Sequence, residues 1–186
     1  DGADEWAVGD VDGVGLAGLG FHNEMTYQSV EHDLGWSYEA QGLTVGVSMD
    51  TSVTSGSNMA YGASYTVAVE GVGVTAGVGK SDVGTASQTS MGVSATMAGL
   101  SATLIHSADD NGTAADVDET ALSVSYSMAA ITATVFQKDV ATTGAADTNY
   151  QGVGIAYDLG GATAKLGVMR DDADLQTIDA GISFSF

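Results

Sequence analysis

Apolar and polar side chains alternate along most of this chain with a period of two. The last stretch, Gln176 to Phe186, shows it most clearly. Ile178, Ala180, Ile182, Phe184 and Phe186 interleave there with Thr177, Asp179, Gly181, Ser183 and Ser185. Successive side chains of a strand point to opposite faces, so one face of this segment is oily and the other wet. The same rule runs through Leu43–Met49, Tyr61–Val69, Val72–Val78, Met91–Met97, Leu122–Met128 and Val153–Leu159. Leu34–Glu39, Leu100–His106, Ile131–Gln137 and Ala162–Met169 follow it less cleanly. Together these segments predict about eleven strands, and no stripe at i, i+3, i+4 supports a helical repeat.

Two kinds of break separate the strands. Tight ones fall at Gln41-Gly42, Glu70-Gly71, Ala98-Gly99, Met128-Ala129-Ala130 and Leu159-Gly160-Gly161. Longer polar ones fall near Thr51–Asn58, Ser81–Gln88, Ser107–Glu119, Asp139–Thr148 and Asp171–Leu175. Successive tight breaks are roughly 28–31 residues apart, about two strands of ten plus a loop. A soluble β-sandwich also has one buried and one solvated face. Its wet face is usually coated with charged residues, whereas here it carries Gly, Ser and Thr. Short turns at one end and long acidic loops at the other are the arrangement of a transmembrane antiparallel β-barrel. Tyr38, Tyr126, Tyr157, Phe184 and Phe186 fall near the short turns, with Tyr61 and Tyr150 near the long loops. This predicts an aromatic belt at each membrane interface.

Composition narrows the function. Of 186 residues, Lys and Arg number 4 against 24 Asp and Glu, a formal charge of −20. Such a balance excludes a nucleic-acid partner. A hydrophobic content of 44% argues against disorder. The 26 glycines without a single proline favour an uninterrupted sheet. With no cysteine there is no disulfide, thiolate metal site or cysteine nucleophile. No apolar run reaches the roughly 18 residues of a spanning helix. The start, Asp1–Trp6, lacks the basic and apolar parts of a signal peptide, so a removed signal or an upstream amino-terminus is expected. His22, His32 and His106 have no nucleophile or acid placed beside them, and Gly152-x-Gly154 lies inside a strand. No enzyme is expected.

An odd strand count conflicts with a bacterial single-chain barrel, whose ends share the periplasmic side. The expectation is therefore the carboxy-terminal part of a longer barrel. The segment Tyr150–Gly161, the strand Ala162–Val168 and the ending Ala180–Phe186 resemble the last three strands of Gram-negative general diffusion porins of the alphaproteobacterial type. Val8–Gly20 resembles their third loop, which narrows the pore. The resemblance implies part of a sixteen-stranded porin barrel, of which the strands here are the sixth to the sixteenth. It further implies a homotrimer in the outer membrane that passes small hydrophilic solutes. Residues 1–33 become a constriction-loop-like segment and residues 34–186 the barrel strands. The family's arginine cluster, which faces the constriction loop, would lie in the five earlier strands.

A pore needs a narrow place and a field rather than a reaction centre. Asp4, Glu5, Asp10 and Asp12 are the constriction candidates, with Glu24 and Glu31 further along, and they predict cation preference. Alternation places Ser64, Thr103, Ser125, Thr134, Thr163, Lys165, Asp179 and Ser183 on the lumen face. Lys165 either opposes the acidic loop or pairs with Asp179. Phe186 looks like the family's assembly signal. Lys80, Lys138 and Arg170 close strands at the long-loop rim beside Asp82, Asp139 and Asp171. Local ion pairing is expected there, with lipopolysaccharide phosphates as the alternative partner. No cofactor is expected. The run Asp109-Asp110-Asn111-Gly112, with Asp116, Asp118 and Glu119, has the oxygen ligands for Ca²⁺ without EF-hand spacing, so a solvated outer loop is the leading expectation. A non-conducting barrel serving as an adhesin or surface receptor is the alternative function.

Overall fold

The computed structural model describes residues 33–52, 58–112 and 114–184. They form one antiparallel sheet of eleven strands joined strictly in sequence order. The first four are β1 Leu34–Ala40, β2 Leu43–Met49, β3 Asn58–Val69 and β4 Val72–Val83. There follow β5 Ala86–Met97, β6 Leu100–Asp110, β7 Val117–Met128 and β8 Ile131–Thr142. The last three are β9 Thr148–Asp158, β10 Ala162–Asp171 and β11 Gln176–Phe184. Among the described residues β1 pairs only with β2, and β11 only with β10.

The tight breaks are tight for a stereochemical reason. Gln41-Gly42, Glu70-Gly71 and Ala98-Gly99 have positive φ at both positions, which matches the twist of the flanking strands. Gly42, at φ +81°, could not be another residue without movement: a Cβ there would lie 2.2 Å from the Thr66 carbonyl oxygen. The Thr66 N–H donates to the Gly42 carbonyl at 2.7 Å, holding the turn against the next hairpin.

At the opposite end the strands run further than their hydrophobic pattern. The polar Ser81–Gln88 stretch is no loop, since β4 and β5 continue through it to a two-residue turn at Gly84-Thr85. Similarly, β6 reaches Asp110 and β8 reaches Thr142. Backbone pairing does not require an oily face, and alternation vanishes where both faces are polar, here Asp82 and Ser87 on one and the buried Ser81 and Gln88 on the other. The segment 53–57 lies outside the described residues.

The two faces differ as the alternation predicts. Trp36, Tyr38, Tyr65, Val78, Leu104, Leu122, Tyr126, Val153, Tyr157 and Phe184 are exposed on one of them, hereafter the outer face. Trp36 stacks on Tyr38 with ring centroids 6.4 Å apart. Tyr150 departs from the expected belt. It pairs with Lys138 and Asp171 on the opposite, inner face, because its register parity differs from that of Val153 and Tyr157. The least exposed residues also lie on the inner face: Ala60, Ser81, Gln88, Ser90, Ile105, Ser107 and Ala121.

Candidate functional site

Directly opposed residues of a sheet share a face, so the register fixes what the inner wall presents. Ser64 opposes Thr44 and Gly77, and Thr103 opposes Ser94 and Ser123. Ser125 opposes Thr134, Thr163 opposes Ser183, Lys165 opposes Gly181, and Asp179 opposes Gly167. All eight residues singled out from alternation therefore lie at positions of one face. Ser64 and Thr103 are buried, Ser183 is exposed, and the rest are half-buried. Lys165 and Asp179 are on adjacent strands, one diagonal step apart.

Hydroxyl groups tie neighbouring strands together along this wall. Thr66 and Thr75 meet at 3.0 Å, Ser125 and Thr134 at 2.8 Å, and Ser127 and Thr132 at 2.9 Å. Further along, the Gln88 amide donates to Ser107 Oγ at 3.2 Å, and Ser107 donates to Asp109 at 3.2 Å. Such a surface hydrogen-bonds water and offers no activated nucleophile.

The most consequential inner-face group is a lysine expected to close a strand at the rim. Lys138 is 4% exposed and its Nζ lies 3.2 Å from Glu119 on β7, not against Asp139. Asp139 is on the outer face, where it accepts from Gln137 at 3.0 Å and from Asn149. Adjacent strand residues point to opposite faces, so a Lys-Asp neighbour pair cannot meet as easily as a cross-strand pair. Arg170 likewise bonds Asp174 rather than Asp171, because the β10–β11 loop folds back by one turn. The expected Lys80–Asp82 pair does form, at 3.2 Å across one strand face. Continuing the parity of Thr134 by two steps, through Phe136 to Lys138, was the signal for an inner-face lysine.

Not all of this wall is polar. Phe136, Ile105 and Met169 are buried on it. Phe136 covers Gly152 on β9, where a Cβ would fall 2.1 Å from the ring. An aromatic laid over a cross-strand glycine fills the gap that glycine leaves in a sheet.

Asp4, Glu5, Asp10, Asp12, Glu24 and Glu31 lie outside the described residues, as do His22, His32 and Phe186. So does nearly all of the constriction-loop-like segment 1–33. His106 is on the outer face, with Nδ1 2.9 Å from Thr120 Oγ1. In the acidic loop the Asp110 carboxylate accepts from the Gly112 N–H at 2.9 Å and Asp116 from the Asn111 N–H at 3.2 Å. No group of three His, Asp or Glu placed to hold a metal ion occurs among the described residues. In the loop after β2, the Ser52 hydroxyl and N–H both donate to Asp50, holding its carboxyl below the usual range.

Comparison with known proteins agrees with this geometry. A family model described as Gram-negative porin matches residues 1–184. A porin structure refined at 1.8 Å superposes with a TM-score of 0.71 at 22% identity, covering 100% of this chain and 75% of that one. A variant of the Rh. blastica porin gives 0.63 at 18% identity, over 82% of this chain and 54% of its own. OmpT, an outer-membrane protein of Vibrio cholerae, gives 0.55 at 15% identity, over 82% of this chain and 63% of its own. At such identities the likeness is one of fold. No curated protein matches the chain in sequence.

Proposed function

This chain belongs to the Gram-negative porin family, and from that membership we propose that it lines a cation-preferring channel for passive diffusion of small hydrophilic solutes. Its setting is the outer membrane, and its family is one of channels rather than enzymes. The observation that carries the selectivity is the charge on the inner wall. Glu39, Asp109, Glu119, Asp158, Asp171 and Asp179 occupy inner-face positions, against Lys138 and Lys165. Lys138 is already matched by Glu119. Carboxylates on a low-dielectric wall attract cations into the lumen and raise the barrier for anions.

In this reading Asp4, Glu5, Asp10 and Asp12 narrow and charge the constriction, and Lys165 supplies a local counter-field. The functional unit is a homotrimer embedded in outer-membrane lipid. Planar-bilayer recording across a KCl gradient tests the proposal: current should appear with a reversal potential of the sign for K⁺ preference. Trimers that insert but carry no current would favour a surface receptor or adhesin instead.

A further inference from the structure

The outer face carries a recess for which the channel has no use. It lies across β8 to β11, has a volume of about 420 Å³, and is lined by Val135, Val153 and Val168 below and by Gln137, Gln151, Arg170 and Gln176 above. The register makes these two continuous rows. Val135, Val153, Val168 and Ile178 oppose one another in turn across the four strands. Two residues further toward the long loops, Gln137, Gln151, Arg170 and Gln176 do the same. The apolar row is open, with Val135 and Val153 each 53% exposed. A hydrocarbon floor against an amide rim suits a molecule with a tail and a hydrogen-bonding head.

Charge decides what kind of head. Arg170 is the one cation of the rim, and the Asp174 carboxylate accepts from its Nε and Nη2, which balances its charge. Asp139 stands at the other end, held by Gln137 and Asn149. A phosphate would lie between two carboxylates that flank the recess, beside a guanidinium whose charge Asp174 already balances. A hydroxyl-rich head fares better, since each hydroxyl both donates and accepts. Gln137 and Gln151 each give one N–H to the rim ladder, at 3.0 Å and 2.9 Å. A glutamine amide has two donors and a carbonyl acceptor, so bonding capacity is left for a ligand.

We propose that this recess binds a sugar-headed amphiphile of the surrounding leaflet, its chain along the valine row and its hydroxyls on the amide row. This rests on the outer face being the lipid-facing one, as the porin reading requires. The protein in phosphatidylcholine nanodiscs is titrated with radiolabelled dodecyl maltoside, dodecyl phosphate and free maltose. Saturable uptake of the maltoside beyond empty discs is expected, with weaker uptake of the phosphate and none of maltose. Gln137→Leu with Gln151→Leu should weaken maltoside binding by about tenfold, the loss of one or two net hydrogen bonds. Gln176→Leu alone, a milder change at the strand edge, should weaken it less. Thr120→Val, outside the recess, should leave it unchanged. Phosphate binding as tight as maltoside, or full maltoside affinity in both glutamine variants, overturns the proposal. Conductance of the same variants in planar bilayers should match the parent, and a silent parent would sink the channel reading while leaving the binding result to stand.

Discussion

Lys138 and Lys165 occupy the same face of one sheet and live in different surroundings. Lys138 is buried with Glu119, in the part of β6–β8 toward the long loops that also buries Ile105 and Phe136, while the Ser125–Thr134 pair lies nearer the short turns. Lys165, on β10, stands half-buried among the small residues Ala156, Gly181 and Thr163, one diagonal step from Asp179. A wall of alternating residues is thus two walls. One sector is packed like a protein interior, where a charge is tolerated only when paired. The other is lined by small and hydroxylated residues and leaves room for water and solute.

Breaking the ion pair is the most severe way to test that division. Lys138→Met leaves Glu119 with 12% side-chain exposure and no matching charge. The expected loss is about 3 kcal/mol or more in urea unfolding from phosphatidylcholine vesicles. Adding Glu119→Gln should recover most of it, since the cost lies in the orphaned carboxylate. A double variant as unstable as the single one would mean that packing, not pairing, sets the cost. Next in size comes Gly152→Ala. Its methyl would meet the Phe136 ring, and the forced shift should cost about 1–3 kcal/mol. Phe136→Leu in the same chain should relieve part of that, and if it adds to the loss, the ring is not what excludes a side chain.

These two sites also mark how far the sequence could be read. Alternation was plain in β3, β9 and β11 because lipid on one side and water on the other impose opposite demands on successive residues. Turns were plain because Gln41-Gly42 and Ala98-Gly99 need positive φ. The same logic set Ser125, Thr134, Thr163 and Asp179 on one face. It failed where the demand disappears: Ser81–Gln88 continues as strand though neither of its faces is oily. Lys138 reads as a rim residue because the alternation of β8 fades after Gln137, and its neighbour Asp139 suggests a local pair; β8 in fact runs to Thr142, and strand geometry sends the two to opposite faces. Phe136 and Tyr150 break the small-polar rule of the inner wall, and nothing local announces that the cross-strand partner of Phe136 is a glycine. The acidic constriction candidates from Asp4 to Asp12 lie outside the described residues, so their role rests on the experiment below.

In the open sector the expected effects are on ions more than on folding. Lys165→Gln should raise cation preference, shifting the zero-current potential in a KCl gradient further toward the K⁺ limit, with a smaller loss of stability than Lys138→Met causes. Neutralising Asp10 and Asp12 together should shift it the opposite way. An unchanged potential in the second case would remove both aspartates from the constriction. A loss of stability in the first as large as that of Lys138→Met would show that Lys165 is held as Lys138 is, and the two sectors would no longer differ in kind.

The smallest effect expected is also the most direct measure of how wet the open wall is. Ser125 Oγ and Thr134 Oγ1 are 2.8 Å apart in a part-buried position, a geometry that a dry interior would make costly to disturb. A neutral hydrogen bond contributes about 0.5–1.5 kcal/mol net, and orphaning a buried partner costs more. If water reaches this ladder, Ser125→Ala lets a solvent molecule take the place of the lost hydroxyl, and the loss should fall below about 0.5 kcal/mol. Thr134→Val should then cost no more, and the double variant no more than the sum. A loss above 1 kcal/mol, with the double variant less affected than the sum, would show that the hydroxyls satisfy each other in a dry wall. The packed sector would in that case extend across β7 and β8 toward the short turns.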